Sequence, residues 1–375
     1  MIKFFRKIRQ RLLSESKFSK YLLYAIGEII LVIIGILFAL QINNWNSDKK
    51  AHQQELDLYA KLLNDLNDNF NNTINKKSSM KRQQNVHYQV YNESKGRASY
   101  DPTTNYHHLQ WIQTYNAEIS EKYTESLSSI RNDSIRDLLK NYIRLENNVT
   151  EAFARWNKLK EERLYPFLNK YGLHDTEATF NDEPYDYAPL FYIDVIDHSK
   201  LKERYSTTEL DEILFDLRIG TSWSYSTLKW LERSNNQFEE VLVHLLTQNG
   251  RAESIKRIPR KHLSDLLKAG KTIDELIQLI KIEKKKDSEY ITASWAINAL
   301  AYDLFRKENF DDALKLFKLN TELHPKRSNP WDSYAMCLIA MGKKEEGIRA
   351  YRKFVELSPL NQNAKRKLEE LERSE

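Results

Sequence analysis

The sequence predicts an all-α chain: one membrane-crossing helix, a helical bundle and a C-terminal array of helical repeats. Three observations lead there. A 22-residue apolar stretch from Tyr21 to Ile42 holds only Glu28 and Gln41 as strongly polar residues. Apolar side chains beyond it recur at three- and four-residue spacing, the period of one helix face. Residues 291–375 match themselves at a fixed shift, the mark of a repeat. Nine Gly and eight Pro in 375 residues leave few turn signals, which favours helices over strands.

Composition bounds the class further. At 375 residues, with 41% hydrophobic and 11% aromatic content, the chain has material for two or three packed cores. Its formal charge of +5 is local. Seven of the 58 bases and one of the 53 acids lie in residues 1–20, which leaves 51 bases against 52 acids in the body. A basic footprint for nucleic acid is therefore not expected. One cysteine, Cys337, allows no disulfide within the chain.

The order of segments reads as a basic tail (1–20), a transmembrane signal anchor (21–42), a helical stalk and bundle (43–171), an acidic aromatic loop (172–200), a second helical region (201–260) and a repeat module (261–375). As a helix the anchor spans ~33 Å, enough for a ~30 Å hydrocarbon layer. Lys3, Arg6, Lys7, Arg9, Arg11, Lys17 and Lys20 precede it, whereas an equal length behind it holds only Lys49, Lys50 and Lys61. Cationic flanks stay cytoplasmic, so the expected topology is N-terminus inside and body outside, in the periplasm. The apolar run exceeds that of a cleaved signal peptide and is followed by Leu40, Gln41, Ile42 and Asn43 rather than a small-x-small site. Ile2, Phe5, Ile8 and Leu12 give the tail a basic amphipathic helix or a plain topology signal.

Glu28, Gly35 and Ala39 fall near one face of the anchor helix. Gly35 and Ala39 would let a second helix approach, with Glu28 hydrogen-bonding across, and a homodimer through the anchor is one reading. A Glu28 that is protonated or reaches the headgroups is a second, and an ion path a third. The run MIKFFRKIRQRLLSESKFSKYLLYAIGEIILVIIGILFALQINNWN resembles the opening of a Bacteroidota family of single-pass membrane proteins of unknown function. The segment SLSSIRNDSIRDLLKNYI, Ser126 to Ile143, is similar to a stretch in that family's soluble part. The resemblance implies an envelope location and carries no activity.

Leu56, Tyr59, Leu62, Leu63, Leu66, Phe70 and Ile74 continue from the anchor as an amphipathic helix with asparagines, Asn67 and Asn69 among them, on its other face. Arg97 to Asn105 reads as a loop. Periodicity resumes through Ile119, Tyr123, Leu127 and Ile130. It returns from an N-cap at Asp133 or Ser134 through Ile135, Leu138, Leu139, Tyr142 and Leu145, and again through Val149, Phe153, Trp156 and Leu159. Three or four antiparallel helices follow, a build shared with bacterial sensor domains, although 20 cytoplasmic residues are too few for an output module. His107 and His108 point about 100° apart on a helix, and no metal site is expected there.

The loop from Gly172 to Lys200 interleaves seven acids with Phe180, Tyr185, Tyr187, Phe191 and Tyr192. It reads either as a covering loop or as a grip for a cationic partner. Helix returns from Leu201 to Thr247. Within it, Gly220-Thr-Ser222-Trp-Ser224 falls short of the G-x-S-x-G elbow, lacking the last glycine and the preceding strand. No catalytic residue, cofactor or metal site is expected anywhere in the chain.

In the repeat module a 34-residue shift pairs Ala301 with Ala335, Leu304 with Leu338, Phe317 with Tyr351, and Pro325 with Pro359. That is the tetratricopeptide period. Trp331 takes the aromatic first-helix position, Gly347 replaces the usual alanine and weakens its helix, and Leu263, Leu266 and Leu267 suggest a degenerate earlier copy. Residues 290–371 also resemble repeat tails of Bacteroidota serine hydrolases, on FKLNTELHP and SPLNQNA, without the catalytic domain. The resemblance to tetratricopeptide modules places a peptide groove at Asn298, Tyr302, Asp332 and Met336, open or packed against residues 201–250. The expected function is a membrane-anchored periplasmic scaffold whose partners are the bilayer and a protein or peptide. The alternative is a sensor acting through transmembrane helix contacts, and the third reading is a cryptic hydrolase.

Overall fold

The computed structural model describes residues 18–101, 104, 106–177, 196–283, 289–359 and 361–373. The basic tail through residue 17 and the loop aromatics from Phe180 to Tyr192 lie outside the described residues. Contacts divide the chain into residues 1–62 and 63–375. Among the described residues every extended element is helical, apart from two isolated bridges, His174 with Ile196 and Lys261 with Tyr290.

Helix α1 runs from Phe18 to Ser94 without a break. Its first part contains the apolar stretch, long and apolar enough to cross a membrane. There the usual burial is inverted: the large aliphatic and aromatic side chains from Ile26 to Ile42 are 43–67% exposed. From Leu63 onward the same helix behaves as a core element, with Leu63, Leu66, Phe70 and Ile74 buried. It buries Asn67 and Asn69 as well, so part of the asparagine-bearing face is packed too. Other elements cover α1 on more than one side here, and these asparagines are held by hydrogen bonds from them.

The connection from α1 is a 3-10 turn, Tyr106–Leu109, and an extended run that buries Tyr115. Helix α2 is only Glu118–Tyr123, continued by a 3-10 turn at Glu125–Ser129. Helix α3, Asp133–Leu159, is capped by Asn132, whose side chain accepts from Ile135 N at 3.2 Å, one residue before the expected cap. The two apolar phases read in sequence are one helix. A π turn at Lys160–Leu164 re-registers the chain into α4, Tyr165–Lys170, with Pro166 in its first turn, where its missing N–H is harmless.

Helix α5 is His198–Lys202, and α6, Thr208–Gln248, is the long partner of α3. Between them Ser206 has a φ of 63° and is fixed through Ser94: its N–H donates to Ser94 Oγ at 2.8 Å and its hydroxyl to the Ser94 carbonyl at 2.7 Å. Small residues bring α3 and α6 together. A Cβ on Gly220 would meet Trp156 Cδ1 at 2.5 Å, and Ser224 Oγ donates to the Ala152 carbonyl at 3.4 Å. Gly220 and Ser224, the two ends of the segment compared with a hydrolase elbow, are thus helix-packing residues in mid-helix, and Ser222 lies between them on the same helix.

The C-terminal region begins with two short helices, α7 (Leu263–Lys268) and α8 (Ile273–Glu283). Helices α9 (Ser294–Phe305) and α10 (Phe310–Leu323) form one pair, α11 (Ser328–Ala340) and α12 (Lys344–Leu357) the next, and α13 (Gln362–Arg373) closes the array. Ser294 to Ser328 and Phe310 to Lys344 are both 34 positions, so the helix starts recur at the sequence period. Leu263, Leu266, Ile273, Leu276 and Ile280 join the same core as Ile297, Ala301, Leu316 and Phe317. Gly347 has a reason beyond weak propensity: a Cβ there would meet Ile339 Cγ1 at 2.5 Å and the Ala335 carbonyl at 3.3 Å, where α11 and α12 cross.

Candidate functional site

The residues singled out in the anchor lie along the exposed part of α1. Gly35 and Ala39 are exposed and Glu28 is half-buried; nothing lies within 4 Å of a Cβ placed on Gly35. The groove residues are placed less uniformly. Asn298 donates through Nδ2 to Ser333 Oγ at 3.0 Å and to Asn329 Oδ1 at 3.2 Å, and Tyr302 donates to the same Ser333 Oγ at 3.1 Å. The Tyr302 ring sits edge-on to Phe317 at 5.0 Å. Asp332 is half-buried, and desolvation raises its carboxyl above the usual carboxylate range. Met336 is buried and packs into the repeat core with Cys337 and Phe317.

Two elements touch this array. Phe70 and Ile74 of α1 pack with Ile291, against which Trp295 and Ala296 also lie, and Lys81 pairs with Asp303. From α6, Glu232 takes an ion pair with Lys77 and a hydrogen bond with His262 Nε2 at 2.7 Å. Glu232 is thus one point at which residues 201–250 reach the array. Burial raises Glu232, but the His262 contact and the Lys77 charge outweigh it, and its pKa falls below the ordinary value.

Sequence reasoning passed over the polar groups inside the bundle, which form three clusters. In the first, Glu146 Oε1 accepts from Asn69 Nδ2 at 2.7 Å, while its oxygens also take the N–H groups of Ile119 (3.3 Å) and Ser120 (2.6 Å) at the start of α2. Asn69 Oδ1 in turn accepts from the hydroxyls of Tyr142 (2.7 Å) and Tyr115 (3.0 Å). Asn235 donates to Tyr142 Oη at 2.8 Å and to the Leu66 carbonyl at 3.0 Å, and Arg260 donates to Asn235 Oδ1 at 2.7 Å. Burial wins over these hydrogen bonds at Glu146 and pushes its carboxyl up to about 7.

The second cluster surrounds Glu93. Its carboxylate accepts from Tyr106 Oη, from Gln89 Nε2 at 2.6 Å and from Tyr205 Oη at 2.5 Å, and contacts His198 Nε2 at 2.9 Å. Tyr100 lies 4.0 Å from the His198 ring. Burial raises Glu93, yet the hydrogen bonds prevail and its pKa is lowered, while burial and the Glu93 charge push both phenols up. Glu93 is therefore an anion held by protonated phenols. Its lone pairs are occupied, and it clasps the end of α1 to the 3-10 turn and α5.

The third is Lys160, fully buried in the π turn. Nζ donates to Gln83 Oε1 at 2.9 Å and to the Trp111 carbonyl at 2.5 Å, and lies 3.6 Å from the Trp156 ring centroid. No carboxylate pairs with it among the described residues, so desolvation drives its pKa well below the ordinary lysine value. Burial first, then the Lys160 charge among others, lowers His87 and His108 to about 3. Both imidazoles are held neutral, His87 buried and His108 half-buried. His107 and His108 stack with Trp111, at 6.4 and 4.9 Å, rather than converging on a shared ligand.

One signal marks most of these groups. Glu146 falls four after Tyr142 and three before Val149; Lys160 falls four after Trp156; Glu93 falls three after Val90; Asn235 falls four after Leu231. Each is a polar residue in register with an apolar helix face, and a polar residue so placed is buried and must be paired.

No protein-family model, curated protein or solved structure matches the chain. Its functional assignment rests on its own residues.

Proposed function

We propose that this chain is a single-pass membrane protein that holds a protein partner at the outer face of the inner membrane, through a periplasmic body ending in tetratricopeptide-type repeats. The observation that carries the reading is the exposure of the apolar side chains from Ile26 to Ile42, set against the burial of Leu63, Leu66 and Phe70 farther along the same helix. An aliphatic surface of that length costs about 25 cal/mol per Å² in water and nothing in lipid, so a bilayer is its natural surrounding. The basic residues from Lys3 to Lys20 support a cytoplasmic N-terminus. The 34-residue recurrence of helix pairs supports the repeat assignment, and Asn298 and Tyr302, joined on Ser333, mark the face expected to receive a peptide.

The test has two parts. Protease added to cells with a permeabilised outer barrier is expected to remove an epitope at Glu375; protection of that epitope would reverse the topology. Affinity capture from detergent-solubilised membranes is expected to recover a partner that is lost when Asn298 and Tyr302 are replaced together by alanine. Recovery of the bait alone would count against the scaffold. The sensor reading draws on α1 being one helix from Phe18 to Ser94, which joins the anchor to Glu93. It predicts a small molecule that raises the melting temperature of the body. The hydrolase reading has no support from Ser222 or Ser224, both in mid-helix.

A further inference from the structure

Helix α6 presents an apolar stripe that no other described residue covers. Phe215 is 65% exposed, Ile219 56%, Trp223 52% and Trp230 42%. At 100° per residue these four positions share an arc of about 80°, and they extend ~22 Å along the helix. The two indoles meet edge-on at 5.7 Å, so they form one continuous surface. Single exposed apolar residues are ordinary, but four in one row, two of them tryptophan, mark a contact surface.

The residues beside the stripe indicate what covers it. Acids lie at its N-terminal end, Glu212 and Asp216; bases lie at its C-terminal end, Lys229 and Arg233. Arg163 already pairs with both acids, while Lys229 and Arg233 have no ion pair among the described residues. A two-fold axis between Ser222 and Trp223 maps Phe215 onto Trp230 and Glu212 onto Arg233. The row is chemically self-complementary in the antiparallel sense, which is what an isologous contact between identical helices requires. We propose that α6 is a homodimer interface: two copies of the chain pack their α6 stripes antiparallel, each Phe215 against the partner's Trp230, with opposite charges meeting at both ends.

The size of the surface sets the strength. The four side chains offer on the order of 400 Å² per copy, and with the charged flanks the contact approaches the ~800 Å² per partner of a specific complex. Association in the micromolar range is expected, with the charges fixing register more than affinity. The inference concerns α6 alone and does not depend on the reading of the repeats or of the topology.

Sedimentation of the full-length chain in mild detergent over a range of concentrations tests it. The unmodified chain is expected to form dimers, and Trp230→Ala to raise the dissociation constant about tenfold or more. Glu212→Lys and Arg233→Glu, both on exposed positions that leave the fold intact, are each expected to weaken the dimer, and the double variant to restore it, since the swap keeps unlike charges opposed. A chain that stays monomeric would overturn the proposal. So would a dimer indifferent to all of these changes, which would place the contact elsewhere, as on the Gly35 and Ala39 face. Failure of the double variant to recover would refute the antiparallel register. A tryptophan fluorescence shift on zwitterionic vesicles, unaffected by the charge variants and lost in Trp223→Ala/Trp230→Ala, would assign the stripe to lipid instead.

Discussion

The bundle and the repeat array are both helical, yet their interiors follow different rules. The array is filled mainly by aliphatic and aromatic side chains such as Ile297, Ala301, Leu316, Phe317 and Leu338, and its buried polar groups among the described residues, Asn298, Asn320 and Ser333 among them, are uncharged. The bundle buries Asn69, Glu146, Lys160, Asn235 and Glu93 between its helices, tied through Tyr115, Tyr142, Tyr106 and Tyr205. In a repeat, each unit meets the next in the same way, so apolar shape suffices to set the register. A bundle of unlike helices can slide or rotate against its neighbours. Buried hydrogen bonds that are made in one arrangement and unmade in the others select that arrangement.

The comparison is tested most severely by removing one asparagine from each interior. Asn69→Leu removes one buried partner from Glu146 and from each of two phenols and is expected to cost about 3–5 kcal/mol of unfolding free energy in urea titration of the full-length chain. Asn320→Leu breaks a 3.1 Å bond to the Ser294 carbonyl and is expected to cost only about 1–2 kcal/mol. Equal losses would mean that the bundle's polar groups are not a connected network.

A second contrast uses the two packing glycines. Gly220→Ala drives a methyl against the buried Trp156 ring, and a loss of about 2–3 kcal/mol is expected, beyond the helix-propensity gain. Gly347→Ala meets Ile339, a side chain that can rotate, so a net loss of about 1 kcal/mol is expected in the same titration. A stabilised Gly220→Ala chain would show that α3 and α6 are farther apart than described.

The third contrast is in pH. His87 has its pKa lowered to about 3 from an unfolded value near 6.5, so the unfolded chain binds the extra proton between those limits. Stability from this group is therefore complete above pH 6.5 and lost as pH falls, by roughly 2 kcal/mol between pH 6.5 and 5. His108 acts in the same direction. Glu146, raised to about 7, acts in the opposite direction: its contribution is present below its unfolded value of 4.5 and lost as pH rises through 7. Thermal melts of His87→Gln against pH should flatten the acid limb; an unchanged limb would remove His87 from the account.

Much of the architecture was legible in residue spacing. The apolar run from Tyr21, the helical periods of α3 and α6, and the 34-residue shift were read without coordinates, because each depends on neighbours along one helix or on a fixed repeat. Helix ends were less so: the cap fell at Asn132, two phases proved to be one helix to Leu159, and a π turn at Lys160 carried the chain on into α4. At the expected groove positions the structure joins Asn298 and Tyr302 on Ser333 and buries both Asn298 and Met336, which the repeat period alone does not reveal.

By itself the sequence determined that the chain is helical, that one segment is apolar enough to cross a membrane, and that its C-terminal helices pair at a set interval. Those follow from local periodicity, which is a property of the chain alone. Only the tertiary structure decided which polar residues are buried, which glycines admit a neighbour, and that Phe215, Ile219, Trp223 and Trp230 are exposed among the described residues. Burial is a relation between distant segments, and a helical row of apolar side chains reads the same in sequence whether another helix covers it or water does.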